Sequence, residues 1–388
     1  MTNRWSILAV LFFARLTMAF QFQSVAALSP LVAGHYGASL ADTGLLIGLY
    51  LAPGVALAIP GGAMSARIGD KTLVALGMVL MLAGALAASL TPAWEIVLAG
   101  RVLAGTGGVI LNVLMTKMVT DWFAGREIST AMGIYVNSWP VGIALALVLL
   151  PGIGAPLGLG TAWGAVAALV GLGLAAFLLG YRPPAAAPRP ATGMAGVPLP
   201  LLAICLAGAI WALYNAALAM VFSFGPALLA ARGWPLASAG ATTSLVLWLV
   251  AVSIPLGGLI ADRTGRRDAV LAVGLGGFAL LLAGAPFMPD AMVPAGFALM
   301  GFLAGLPAGP VMGLPSLVLG PRTRALGMGV FFTLYYAAIM AAPVVAGATA
   351  DRLGDVRVTF LMGALMLLAC LAAQLAFLRR ARPAPAAP

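Results

Sequence analysis

Acidic side chains are missing from the interiors of the apolar runs that make up most of this 388-residue chain. The sequence has only 10 Asp and Glu residues against 20 Lys and Arg, and charged residues total 8%. A soluble protein carries about 25% charged residues, so an ordinary soluble domain is excluded. One histidine and two cysteines are too few for a usual histidine-based metal site or a disulfide framework. We therefore expect no metal and no cofactor.

The chain is instead rich in long apolar segments. Hydrophobic residues make up 63% of it, and the mean hydropathy is +1.10. Runs of about 20 apolar residues are long enough to cross a bilayer as helices, which satisfy their own backbone hydrogen bonds. We predict an all-α membrane protein with twelve transmembrane helices. The predicted spans are 5–29, 43–64, 72–91, 94–121, 128–151, 161–181, 198–225, 236–261, 269–288, 291–318, 324–348 and 358–379.

The chain divides into two halves that echo each other. Residues 62–71 align with residues 258–267 at an offset of 196, and each segment follows the second span of its half. Residues 1–181 are the predicted N-terminal six-helix half and residues 198–380 the C-terminal one. Residues 182–197, rich in Pro and Ala, are a predicted cytoplasmic linker, and residues 381–388 a disordered tail. Two pseudo-symmetric halves are the expected architecture of a carrier.

The distribution of basic residues predicts the orientation. With twelve spans and a cytoplasmic amino terminus, fourteen basic residues fall inside and three, Arg232, Arg352 and Arg357, fall outside. This is the positive-inside pattern. The net charge of +10 thus reflects membrane topology, not nucleic-acid binding. We expect a multi-pass protein of a bacterial-type inner membrane, in contact with lipid, with both termini cytoplasmic.

Three motifs resemble those of a known transporter family. The loop at 258–267 is similar to the signature cytoplasmic loop of the major facilitator superfamily, and Arg101 to Gly108 is similar to its Arg-x-x-x-Gly-x-Gly motif. Asp121 to Glu127 resembles the end of the fourth helix in many anion-carrying members. The nearest resemblance is to cyanate permease-like and organic-anion carriers. In the first-half loop, Ala66 stands where the family has Asp.

The resemblance implies the major facilitator fold, transport instead of catalysis, and a monomer. It also implies that the signature loop is a conformational latch; otherwise the loop is a basic turn that fixes topology. The residues with an implied structural or gating role are Arg101, Gly105, Asp121, Arg126, Gly258, Asp262, Arg263, Gly265, Arg266 and Arg267. For Arg101, a structural hydrogen-bonding role and a position along the path of the anion are equally open alternatives. Lys117 is expected to extend its side chain to the membrane surface.

Arg15 is the most informative single residue. It lies about ten residues into the first span, or ~15 Å, close to the middle of the membrane. A guanidinium there costs from a few to about 10 kcal/mol, so it normally faces protein or water. No carboxylate is predicted at similar depth. We expect Arg15 to bind a small anion; the alternative is a structural cation held by backbone carbonyls, Gln21 or Asn137.

Polar and aromatic residues in other spans are the remaining candidates for substrate contact. Pro140 frees a backbone carbonyl in the fifth span, next to several of them. Three prolines within residues 301–315 predict a bent or broken tenth helix. For all of these residues, packing without substrate contact is the alternative. The candidates besides Arg15 are Asn112, Asn137, Trp139, Trp211, Tyr214, Asn215, Tyr335 and Tyr336.

Together these features predict a secondary transporter that moves a small anion by rocking its two halves. The anion is either an organic monocarboxylate or a small inorganic ion such as cyanate or nitrite. Whether a proton or a counter-anion moves with it is left open. A proton-coupled exporter of amphipathic drugs is the alternative within transport, although no buried carboxylate is predicted for it. A non-transporting membrane receptor is the alternative of another class.

Overall fold

A computed structural model describes residues 3–57, 68–90, 93–123, 128–184, 200–319 and 324–381. It is a bundle of helices, and the described residues contain no strand. The first half comprises α1 Arg4–Ala27, α2 Ser29–Tyr36, α3 Leu40–Leu51, α4 Pro53–Leu57, α5 Asp70–Leu90, α6 Trp94–Phe123, α7 Ile128–Leu157 and α8 Leu159–Gly180. The second half comprises α9 Leu201–Ala231, α10 Leu236–Thr264, α11 Arg267–Gly284, α12 Val293–Gly305, α13 Ala308–Met312, α14 Arg324–Leu353 and α15 Arg357–Ala381.

The prediction of twelve membrane-spanning helices is confirmed. Twelve helical segments of the described chain are long and apolar enough to cross a membrane. The tenth span is broken, as its prolines predict: α12 ends at Gly305 and α13 begins at Ala308. Most of the predicted linker and all but the first residue of the predicted tail lie outside the described residues.

Glycines bring pairs of helices into backbone contact at equivalent places in the two halves. A Cβ on Gly105 of α6 would collide with the carbonyl oxygen of Tyr50 in α3. The residue 196 positions later, Gly301 of α12, faces the carbonyl oxygen of Val246 in α10 in the same way. Small residues permit such close helix approach in membranes. The internal repeat therefore extends from the loops to the helix packing.

This contact gives a stability prediction. Gly105→Ala should lower the melting temperature of the purified protein by several degrees, because overpacking against backbone costs about 1–3 kcal/mol. The control is Gly276→Ala in α11, where an added Cβ meets nothing within 4 Å. Equal melting temperatures for the two variants, measured by thermal unfolding in detergent, would contradict the prediction.

The two halves meet along two helix pairs. In the first pair, Gly44 and Gly48 of α3 lie against the backbone of α14 at Pro343 and Met340. In the second pair, Gly240 of α10 lies against the carbonyl oxygen of Leu147 in α7. We call the end of the bundle where α8 ends and α9 begins the linker end and the opposite end the far end. These contacts run from the far end toward the centre of the bundle.

A carboxylate of one half caps a helix of the other at the far end. Asp351, near the end of α14, accepts hydrogen bonds from the backbone N–H groups of Leu40, at 3.0 Å, and Ala41, at 2.7 Å. Both donors belong to the first turn of α3, whose amino terminus favours negative charge. Asp351 therefore holds the halves together at this end.

Asp351→Asn should loosen the far end. Loss of a capping charge costs about 1 kcal/mol, equivalent to a roughly fivefold shift from the closed to the open far end. Leu157 and Met292 are exposed far-end positions of the two halves. Spin labels on Leu157→Cys and Met292→Cys would report the distance between the halves there by double electron–electron resonance. Asp355→Asn is the matched control, because Asp355 accepts a hydrogen bond from the backbone N–H of Arg357 in its own half. Identical distance distributions for the spin-labelled parent protein, Asp351→Asn and Asp355→Asn would show that the Asp351 cap does not hold the far end closed.

Candidate functional site

A central cavity of about 110 Å³ lies between the halves. It is lined by α1, α3, α6 and α7 of the first half and by α9, α10, α13 and α14 of the second. Eight of the nine predicted substrate-contact residues lie on its wall. They are Arg15, Asn112, Trp139, Trp211, Tyr214, Asn215, Tyr335 and Tyr336. Asn137 is not among the described lining residues, and its Oδ1 is buried with no hydrogen-bond partner in the described part of the chain.

Arg15 is half-buried at the cavity wall and is partly satisfied by the protein. Its Nε donates to Oδ1 of Asn112 at 3.0 Å. Its Nη1 donates to the carbonyl oxygens of Tyr135, at 3.1 Å, and Val136, at 3.0 Å, and to Oγ of Ser138, at 3.2 Å. Nη2 has no hydrogen-bond partner among the described residues. One edge of the guanidinium is thus fixed, while the Nη2 amino group remains for a ligand.

The local sequence of α7 explains why Arg15 hydrogen-bonds to the backbone of this helix. Pro140 has no N–H, so the carbonyl of Val136, four residues earlier, loses its helical partner. Arg15 supplies the missing donor. The guanidinium carbon also lies 4.7 Å from the ring centroid of Tyr135 and 5.9 Å from that of Trp139. Gln21 and Asn137, the side-chain partners considered from the sequence, do not hydrogen-bond to Arg15; Gln21 donates to the carbonyl oxygen of Met81 instead.

Asn112 connects Arg15 to the other half of the protein. Its Nδ2 donates to Oη of Tyr336 on α14 at 3.1 Å. Tyr336 is only 2% exposed, and its ring lies within van der Waals distance of Gly54, where a Cβ would collide with it. A continuous hydrogen-bonded chain therefore runs from Arg15 and Asn112 in the first half to Tyr336 in the second.

The second-half wall of the cavity is aromatic. The ring of Trp211 lies 6.1 Å from that of Tyr335 and 5.6 Å from that of Tyr214. Tyr214 donates its hydroxyl to the carbonyl oxygen of Ala304, and Asn215 donates its Nδ2 to that of Trp211. The Nε1 of Trp211 is buried and has no hydrogen-bond partner among the residues that the structure describes. This wall presents ring faces and few charges to the cavity.

The internal repeat accounts for most of the lining, including apolar residues that pattern reading from sequence missed. Eight pairs of lining residues are separated by the same 196 positions that relate the two loops. The pairs are Arg15 with Trp211, Met18 with Tyr214, Phe22 with Leu218, Leu51 with Leu247, Asn112 with Ala308, Trp139 with Tyr335, Pro140 with Tyr336, and Ile143 with Ile339. The first half thus carries Arg and Asn where the second carries Trp and Ala, so among the described lining residues the charge is on one side only.

Arg101 lies in the first half, away from the central cavity wall. It is 5% exposed and donates to the carbonyl oxygens of Leu46, Gln21 and Phe22, each at 2.9 Å. Its guanidinium carbon lies 4.6 Å from the ring centroid of Tyr50. These contacts join α6 to α1 and α3. All three guanidinium nitrogens are occupied by the protein, in contrast with Arg15.

The described gating residues other than Arg101 and Gly105 lie at the linker end. Lys117 forms ion pairs with Asp70 at 2.5 Å and with Asp121 at 3.6 Å. Gly265 ends α10 in the left-handed region, with φ of 65°, which glycine adopts without strain. Arg263 and Arg266 are exposed there, Arg267 is half-buried, and an added Cβ at Gly258 meets nothing within 4 Å. Arg126 and the side chain of Asp262 lie outside the described residues.

Comparison with known proteins identifies the family. The family model described as Major Facilitator Superfamily matches residues 11–230 and 200–388, which is most of the chain. The chain belongs to the major facilitator superfamily. It is therefore a membrane transporter and not an enzyme, as the sequence predicts.

Curated relatives of this superfamily member match over part of their length. The inner membrane transport protein YajR of Escherichia coli is 34% identical over 140 residues, which are 36% of this chain and 30% of the relative. The rat choline/ethanolamine transporter FLVCR2 is 25% identical over 152 residues, which are 38% of this chain and 28% of the relative. The matched segments thus span less than a third of either relative.

Solved structures of transporters share the whole fold. A bacterial homologue of the human lysosomal transporter Spinster, in an inward-facing and occupied conformation, superimposes with a TM-score of 0.79 at 17% identity, covering 99% of both chains. The nucleoside transporter NupG superimposes with a TM-score of 0.74 at 15% identity, covering 96% of this chain and 99% of that one. At such identities the similarity establishes the fold alone.

Proposed function

We propose that this transporter carries a small anion and that Arg15 is the anion ligand. The observation that supports this most directly is that Nη2 of Arg15, which lines the central cavity, has no hydrogen-bond partner among the described residues. No Asp or Glu is found among the described residues that line this cavity. An anion that accepts from Nη2 neutralises a charge that is otherwise costly at this depth.

Transport follows from the way the halves enclose the site. In the structure the halves are joined at the far end by Asp351 and by the packing of α3 against α14. Separation of these contacts, with closure of the linker end, would expose the same cavity to the opposite side. We propose that the signature loop, with Asp262, Arg263 and Arg267, is the linker-end latch, and that Arg101, Gly105, Asp121 and Arg126 support the first half during this motion.

Basic residues support a cytoplasmic linker end. Lys71, Arg263 and Arg266 are at that end, whereas Arg232 and Arg357 are at the far end. By the positive-inside rule the linker end and both termini face the cytoplasm of a bacterial-type cell. We propose a monomer in the inner membrane. A proton or a counter-anion that accompanies the substrate is compatible with the same cavity.

The aromatic second-half wall favours a competing substrate class, the organic cations. Ring faces attract such cations, and the rat relative is a choline/ethanolamine transporter. Arg15 opposes them, because its positive charge borders the same cavity. A thermal-shift screen of the purified protein separates the two classes, because a ligand that binds only the native state raises its melting temperature.

The screen compares acetate, pyruvate, benzoate, cyanate and nitrite with the neutral amides acetamide and benzamide, and with choline. We expect stabilisation by at least one anion and weaker or no stabilisation by the amides and by choline. Uptake of the stabilising anion into liposomes, driven by its own gradient, should follow. Stabilisation by choline alone, or by none of the anions, would overturn the anion proposal.

A further inference from the structure

The orientation of the Asn112 amide leaves one tyrosine hydroxyl free to donate. A guanidinium has donors and no acceptor, so the atom of Asn112 that faces Arg15 must be the oxygen. The amide nitrogen then faces Tyr336, whose Oη accepts at 3.1 Å. The hydroxyl proton of Tyr336 finds no acceptor among the described residues. Arg15 therefore sets which group donates and which accepts in each hydrogen bond of the series from Arg15 through Asn112 to Tyr336.

Unpartnered donors from both halves consequently border one cavity. Arg15 contributes Nη2 from the first half, and Tyr336 contributes its O–H from the second. Arg15 is the one charged residue in the described lining. A site with free donors and a single positive charge favours a ligand with acceptor oxygens and one negative charge. A dianion would leave a charge without a counterion in a medium of low dielectric.

The rest of the cavity wall requires an apolar body on that anion. On the first-half side the ring of Phe22 lies 5.2 Å from that of Trp139, and on the second-half side Trp211 is stacked near Tyr335. A two- or three-atom inorganic anion would leave these rings facing empty space or water. The volume, about 110 Å³, is also small. It is of the same order as the about 150 Å³ of an engineered cavity that holds one benzene molecule, so the apolar body is at most one small ring.

Resting on the anion function proposed above, we propose that the substrate is a compact organic monocarboxylate that bridges the two halves. One carboxylate oxygen accepts from Nη2 of Arg15, the other accepts from the hydroxyl of Tyr336, and the apolar body lies between Trp139 and Trp211. Tyr336 is then a specificity-determining residue. Because its hydroxyl and Arg15 lie on different halves, the bound carboxylate adds a contact between them that the empty cavity lacks.

The test is calorimetric titration of the purified full-length protein with benzoate, its uncharged analogue benzamide, and cyanate. We expect wild type to bind benzoate at least tenfold more tightly than the other two. Tyr336→Phe, which removes only the hydroxyl, should weaken benzoate binding about tenfold, as expected for loss of a hydrogen bond to a charged group. Tyr36→Phe is the matched control: it removes a hydroxyl from α2, outside the cavity, and should leave benzoate binding unchanged.

The outcomes separate this inference from the function on which it rests. If Tyr336→Phe binds benzoate as tightly as wild type while Arg15→Ala does not bind it, the bridge is wrong and the anion function stands. If wild type binds cyanate more tightly than benzoate, the organic class is wrong; this comparison needs no variant. If Arg15→Ala binds benzoate normally, or no anion binds wild type, both proposals fail.

Discussion

Arg15→Ala is expected to abolish the binding and transport of small anions. The substitution removes the one charge in the described lining of the cavity and the free Nη2 donor with it. Hydrogen bonds to charged groups contribute about 1.5–3 kcal/mol each, so loss of the charge and its hydrogen bonds should weaken binding about 100-fold or more. Arg15→Lys should retain at most partial activity, because one ammonium cannot replace the contacts to Asn112 and Val136 and still reach the ligand.

The measurement is anion uptake into liposomes together with titration of the detergent-purified protein. Arg357→Ala is the matched control, since Arg357 is half exposed at the far end and away from the cavity. The melting temperature of Arg15→Ala shows whether the protein remains folded: the carbonyl of Val136 and Oδ1 of Asn112 lose a partner but border a cavity that water can enter. Undiminished transport by Arg15→Ala would refute the proposed ligand.

Asn112→Asp is expected to inactivate the site with almost no change in shape. The new carboxylate would lie where Oδ1 lies now, 3.0 Å from Nε of Arg15. It would give Arg15 a permanent internal counterion, and a substrate anion would then meet a cavity without net positive charge. The amide N–H that donates to Tyr336 would also be lost. We expect benzoate affinity to fall about 10- to 100-fold.

Asn112→Leu separates the effect of charge from that of the lost amide. It removes both hydrogen bonds of the amide, whereas Asn112→Asp removes only the one to Tyr336, and it adds no carboxylate. If charge dominates, its loss of benzoate affinity should still be several-fold smaller than that of Asn112→Asp. Both variants are compared by calorimetric titration. Equal losses in the two variants would show that the charge of Arg15 is not what attracts the ligand.

The sequence located most of the candidate site, because unusual residue types are conspicuous in apolar helices. Arg15 and Asn112 were found as polar groups at membrane depth, and Pro140 marked the place where a backbone carbonyl needed a donor. Asn137 was grouped with Trp139 because the two are near in sequence, but helix rotation places only Trp139 on the cavity wall. Periodicity along one helix does not fix which face meets the cavity.

Apolar lining residues such as Met18 and Leu51 carried no signal of their own, since membrane helices are full of Met and Leu. The offset of 196 between the loops, applied to Arg15 and Trp139, would have paired them with Trp211 and Tyr335. It could not have shown which of the paired positions reach the cavity. That depends on how α1, α7, α9 and α14 cross, which is set by side chains far apart in the chain.

The sequence by itself determined that this chain crosses a membrane twelve times as helices, is built from two related halves, and carries an arginine at membrane depth. These properties follow from local composition, because hydrocarbon admits only long apolar segments with internally bonded backbones. The tertiary structure alone decided that Arg101 is fully bound by carbonyls while Arg15 keeps one amino group free. The number of donors that remain depends on the positions of acceptors on neighbouring helices, and those positions exist only once the helices have packed.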